Sequence, residues 1–233
     1  MADTVKYELN DSVATITLDD GKVNVLGPAM QSAINEALDK AEKDSAKAVV
    51  IVGNQRVFSG GFDLAVFQSG EPKAALGMLA GGFELSVRCL TFPAPVIMAA
   101  TGPAIAMGSF LLLSGDHRVG QPKSRCQATE VAIGKTILIS AIEIMRARLT
   151  PAAFHRGTSM AATFAGEEAV AGGWLDELVE ADQVLARAQE VATEAASTLH
   201  PGAHLATKLK ARESALKAIK AGIEGLPTEF SLS

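Results

Sequence analysis

Cysteine, histidine and the larger aromatic residues are all scarce in this chain. The two cysteines, Cys89 and Cys126, give no disulfide framework and fit a reducing, cytoplasmic setting. Buried, inert thiols are the expectation for both. Four histidines without paired spacing give no metal site. No G-x-G-x-x-G follows a strand, so no dinucleotide cofactor is expected. The segment Met1 to Glu8 lacks the apolar core of a signal peptide. Basic residues are outnumbered, and the net charge of −5 argues against a broad nucleic-acid surface. A small anionic ligand needs only a local basic patch and stays open. An unbroken hydrophobic span is missing too. The uncharged stretch from Pro93 to Gly115 is long enough to raise the question of a membrane. Pro93, Pro95, Gly102, Pro103 and Gly108 interrupt any single helix there, so no membrane partner is expected.

What remains is an ordinary globular composition, 48% hydrophobic over 233 residues, enough for one sizeable core with a helical appendage. Tyr7 to Leu9 and Ser12 to Leu18 read as strands joined at Asn10-Asp11. In the second, Val13, Thr15 and Thr17 alternate with Ala14, Ile16 and Leu18, the period of a half-buried strand. A helix opens near Gly27-Pro28, with Met30, Ile34, Ala37, Leu38 and Ala41 on one face. Ala48 to Val52 and Val96 to Ala100 are buried strands. Met78 to Leu90 has helical spacing that Gly81-Gly82 weakens. Helices are also expected over Ala106 to Leu113 and Thr136 to Arg148. From Gly166 the texture changes to helices over Glu167 to Gly172, Asp182 to Leu199 and His204 to Ile223. A soft boundary near Ala165 divides a mixed α/β region, residues 1–165, from a mainly helical one, 166–233.

Two stretches suggest chemistry. Phe58-Ser-Gly-Gly-Phe-Asp-Leu64 and the break at Thr101-Gly102-Pro103 each read as a strand that turns sharply into a helix. Such turns leave backbone N–H groups unpaired. Two of them side by side suit a developing oxyanion, hence carbonyl chemistry.

The first stretch resembles the crotonase-family pattern of small residues, glycine, any residue, aspartate and leucine. Pro95 to Phe110 is similar to that family's second turn and glycine-rich helix start. Asp116-His-Arg-Val119 looks like its following strand, and Gly166 to Val179 resembles its later signature. The four lie in order across roughly residues 5 to 180. The resemblance implies a crotonase fold, a spiral of β-β-α units with C-terminal helices that build a homotrimer or a dimer of trimers. It implies an acyl-CoA thioester as substrate, with coenzyme A part of the substrate and no separate cofactor. The backbone N–H groups of Phe62 and Met107 would hold the thioester oxygen. Gly60, Gly61, Gly108 and Phe110 would line the substrate, and Asp63 would brace its turn by accepting N–H groups at a helix start.

Hydratases of the family use two glutamates. At the first position this chain has Phe110. At the second, Ala128-Thr-Glu-Val-Ala-Ile-Gly134 keeps Glu130. Hydration divides two proton tasks between two carboxylates, whereas one carboxylate in a dry pocket suits moving a proton from one carbon to another. A drier pocket also raises a carboxyl pKa. The resemblance therefore implies an enoyl-CoA hydratase/isomerase enzyme that favours Δ3,Δ2 double-bond isomerisation through Glu130. The alternatives are a hydratase of fatty-acid β-oxidation and a non-catalytic acyl-CoA binder. Relatives carry a further C-terminal segment near the acyl pocket, which would leave a partner subunit to supply a wall here. A Ser59–His155 triad has no supporting context. Lys22, Arg56, Lys208 and Lys210 read as solvated cations before they read as contacts to coenzyme A phosphates.

Overall fold

A computed structural model describes residues 4–230. The chain opens with a hairpin of β1 (Val5–Asn10) and β2 (Val13–Leu18). Its two turn residues, Asp11 and Ser12, both have positive φ, the geometry whose twist matches that of paired strands. Next come α1 (Pro28–Lys43), β3 (Ala48–Val52), α2 (Leu64–Gln68), α3 (Pro72–Thr91), β4 (Val96–Ala100) and β5 (Ala104–Ile105). After them follow α4 (Met107–Leu113), β6 (His117–Gly120), β7 (Arg125–Gln127), a 3-10 turn (Val131–Ile133), α5 (Ile139–Arg146) and α6 (Pro151–Met160). The chain continues through β8 (Phe164–Ala165), α7 (Gly166–Gly172), β9 (Glu177–Leu178), α8 (Val184–Thr198), α9 (Pro201–Ala211) and α10 (Glu213–Phe230).

Six strands form one sheet in the order β1-β2-β3-β4-β6-β9, antiparallel at β1–β2 and parallel after it. Parallel strands joined by helical crossovers are covered on both faces, and every residue of β3 and β4 is buried. On one face Ile16, Leu18, Val49, Ile51, Val96 and Met98 pack with Ile34 and Leu38 of α1, Leu85 of α3 and Phe110 of α4. On the other, Val13, Val50, Val52, Ile97 and Val119 meet Val184, Ala188 and Ala192 of α8. The strand expected to be half-buried is therefore buried on both faces. Thr15 is only 5% exposed, because α8 returns from more than 160 residues away and Gln189 donates to the Thr15 hydroxyl. The apolar stripe of α8 is thus used within the chain. Trp174, Leu216, Ile219 and Leu226 join the same apolar cluster as Ile16 and Met98.

A smaller sheet, β5-β7-β8, flanks the two turns. Gly81-Gly82 does not interrupt α3; it makes room. A Cβ at 81 would stand 2.4 Å from the Gln31 amide oxygen, and one at 82 would stand 2.6 Å from the Phe62 ring. The single helix expected over His204 to Ile223 is two helices that meet at Arg212. No helix among the described residues is long and apolar enough to cross a membrane.

Candidate active site

The first turn is held from two sides. Ser59 is fully buried; its hydroxyl donates to the Asn24 carbonyl at 2.7 Å and accepts the Gly61 N–H at 3.1 Å. Gly60 N–H donates to Val23, and Leu26 N–H to Gly61, each at 2.7 Å. Asn24 was not singled out by sequence reasoning. It is fully buried, and its amide nitrogen donates to the carbonyls of Leu18 and Phe58, tying the end of β2 to the turn. Asp63 opens α2 as expected, accepting the Ala65 N–H at 2.9 Å.

The second stretch lies directly against the first. Phe58 N–H donates to Pro103, and Ile105 N–H to Ser59. Gly108 fits so closely that a Cβ would meet the Ser59 carbonyl at 2.4 Å. Gly61 has φ +94°, and a Cβ there would lie 2.8 Å from the Ile105 carbonyl and 3.3 Å from the Met107 nitrogen. Only glycine permits both the torsion and the approach. Before α4, Ala106 sits at φ +48°, ψ −124°, a region costly to a residue with a Cβ, and its own N–H is anchored on the Gln127 carbonyl. This strained residue sets the direction of the Met107 N–H. No sequence signal marks it, since glycine is the residue that announces such a torsion and the chain has alanine there. Neither the Phe62 nor the Met107 N–H has a hydrogen-bond acceptor among the described residues, the condition a donor pair for an oxyanion requires.

Around these donors the walls are aromatic. Phe110 is buried and stacks on Phe83, with ring centroids 6.5 Å apart. Phe83 meets Phe62 edge-on, and Phe62 meets Phe67, each at 6.2 Å. An apolar cavity of about 470 Å³ is lined by Leu64, Phe67, Leu79, Ile133, Leu138 and Phe230 among others. It begins two residues after Phe62 and three after Glu130. Phe230 brings one wall from the chain's own α10. Glu130 precedes the 3-10 turn, and its Oε2 is buried with no partner among the described residues. Burial pushes the Glu130 carboxyl above the usual carboxylate range, against the backbone N–H groups of Glu130 and Thr129, which favour the ionised form.

The family model for enoyl-CoA hydratase/isomerase matches residues 8–225. The chain belongs to the enoyl-CoA hydratase/isomerase family. Its structure superposes on a probable enoyl-CoA hydratase, EchA3, from Mycobacterium tuberculosis with TM-score 0.97 and 55% identity, covering 98% of this chain and 97% of that one. A structure described as an M. tuberculosis enoyl-CoA isomerase gives TM-score 0.95 and 53% identity, covering 98% and 100%. A putative enoyl-CoA hydratase of Thermus thermophilus is 34% identical over 140 residues, 58% of this chain and 55% of the relative. The first curated relatives are matched over less than two thirds of their own length. The sheet and helices described above are thus the crotonase fold of an enzyme family.

Within this family setting the remaining candidates separate cleanly. Ser59 is engaged by Asn24 and Gly61, while His155 lies exposed with its ring against Phe154, so no triad forms. Burial pushes both thiols, Cys89 and Cys126, up to about 12, which leaves them inert as expected. Lys208 corrects the reading as a solvated cation. It is 6% exposed and pairs with Asp116 at 2.7 Å. It lines a second cavity of about 670 Å³ with Arg148 and Arg212. None of the residues of the two turns lines that cavity, and its cations bond to Asp116 and to carbonyls at the ends of α3 and α4. The apolar cavity takes Leu64 from the first turn.

Proposed function

We propose that the chain catalyses Δ3,Δ2 isomerisation of an enoyl-CoA thioester with Glu130 as the sole proton carrier. The observation that carries this reading is the buried Glu130 oxygen left without a partner among the described residues, in a chain whose other acid position holds the stacked Phe110. The Glu130 carboxylate takes a proton from C2, next to the thioester carbonyl. The electron pair spreads onto the carbonyl oxygen, held by the N–H groups of Phe62 and Met107, and onto C4. The same carboxyl then returns the proton to C4, leaving the double bond between C2 and C3. No water is consumed. Each donor is worth roughly 3–4 kcal/mol to the charged state. The raised Glu130 pKa makes the carboxylate a stronger base toward carbon. Gly60, Gly61 and Gly108 allow the substrate and the two backbones their close approach. In this reading coenzyme A enters with the substrate, the copies assemble as a homotrimer or a dimer of trimers, and the enzyme works in the cytoplasm.

Hydration is the second reading. Its support is that the same M. tuberculosis relative is described as a probable hydratase in one structure and as an isomerase in another. Incubation with crotonyl-CoA and with a 3-enoyl-CoA separates the two. Isomerisation predicts conversion of the 3-enoyl thioester with little hydration of crotonyl-CoA. Fast hydration without a double-bond shift overturns it. Tight binding without turnover of either identifies a non-catalytic binder.

A further inference from the structure

The helix α10 is fastened to the start of α5 at three points. Gly222 lies so near Ser140 that a Cβ would stand 2.5 Å from its hydroxyl. That hydroxyl donates to the Ile219 carbonyl at 2.9 Å. The Ile139 N–H, at the open N-terminus of α5, donates to the Glu229 carboxylate at 2.9 Å. Leu138, the residue before α5, has no side-chain acceptor to offer. Glu229 therefore caps α5 from another helix, where the helix dipole favours a carboxylate. The next residue, Phe230, lines the apolar cavity together with Leu64 and Phe67, and Leu138 lines it beside the cap. One carboxylate joins the two elements that carry Leu138 and Phe230.

We propose that Phe230 limits the length of acyl chain the site accepts, and that Glu229 is the positioning residue that holds it there. The proposal rests on the reading of the cavity as the acyl site of an acyl-CoA enzyme. A fixed ring in the wall of an apolar cavity limits by volume how much alkyl chain the cavity holds. Methylenes beyond it gain no burial. Without the Glu229 cap the last turn of α10 loses its hold on α5, and the ring no longer has a fixed place.

Calorimetric binding of butyryl-, octanoyl-, dodecanoyl- and hexadecanoyl-CoA to the full chain tests this apart from turnover. For the wild type, affinity rises with chain length and then breaks where the chain meets Phe230. Phe230→Ala moves the break to longer chains and tightens hexadecanoyl-CoA by about tenfold, the burial of roughly two further methylenes. Butyryl-CoA is unaffected. Glu229→Ala shifts the break the same way, whereas Glu229→Gln, whose amide oxygen still accepts the Ile139 N–H, keeps the wild-type profile. Phe230→Leu gives an intermediate break, which keeps the length limit testable if Glu229→Ala fails to fold. An unmoved break in Phe230→Ala overturns the length limit. A wild-type profile in Glu229→Ala, or Gln behaving as Ala, overturns the role of Glu229. If the wild type binds none of the four, the acyl-CoA reading falls and this inference with it. If it binds them and the variants bind identically, only the inference falls.

Discussion

At the scale of single residues, the proposed chemistry depends on how differently two positions are treated. Phe110 is buried in a stack, and Glu130 is buried with one oxygen unanswered. A buried carboxylate with one oxygen unpartnered is costly, and the cost is offset in part by protonation, as the upward direction of its pKa records. The base form is the ionised one, so turnover should rise with pH through the folded-state value. That limb belongs above the ordinary glutamate value of about 4.3. A kcat/KM profile on a 3-enoyl-CoA checks it, and a limb at or below that value would remove Glu130 as the titrating group. Glu130→Gln should lower kcat by about 10²–10⁴ with the melting temperature nearly unchanged, because the substitution deletes a charge and no hydrogen-bonded partner. A Gln variant at full rate would take Glu130 out of the mechanism.

At the scale of elements, the site exists because two strand-to-helix turns are pressed together. Gly61 and Gly108 are two of the points of contact. Alanine at either must force the turns apart and move one donor from the oxyanion. Each single variant is expected to lose about 10²–10³ in kcat. The double variant should lose little more than the worse single one, since both break the same juxtaposition. Strictly additive losses in steady-state kinetics would show that the two glycines act separately. These turns were legible in the sequence because both announce themselves locally, through glycine clusters after β-branched runs. Elements defined by distant partners were not legible. The helix expected from Thr136 begins at Ile139, where Glu229 supplies its cap from 90 residues away. The helix expected through Ile223 breaks at Arg212, whose guanidinium reaches back to the Leu90 carbonyl and to Asp116. Asn24 and Ala106 escaped notice for the same reason: each is made necessary by a neighbour remote in sequence.

At the scale of the whole molecule, one buried charge cluster joins the C-terminal helices to the sheet. Asp116 lies between β4 and β6. It accepts the Val96 N–H at 2.8 Å, Lys208 at 2.7 Å and Arg212 at 2.7 Å. Lys208 and Arg212 also bond to carbonyls of Phe92 and Leu90, at the C-terminal end of α3, where helix carbonyls lack partners and favour cations. Lys208→Ala should cost about 3–5 kcal/mol in urea denaturation, since it strands part of a buried pair. The pH response follows from Asp116. Burial raises its pKa, but Lys208 and Arg212 outweigh burial and hold it below the ordinary carboxylate value. The folded state therefore binds fewer protons at Asp116 than the unfolded chain in acid. Its stabilisation is complete above the unfolded value of about 3.9 and is lost as pH falls through the folded one. Asp116→Asn should be less stable near neutrality, with two cations left facing each other, yet its stability should decline less steeply in acid. Urea midpoints from about pH 7 down to about pH 3 read this directly. Parallel acid limbs in the wild type and the variant would mean that Asp116 does not govern how the helical end is held to the sheet.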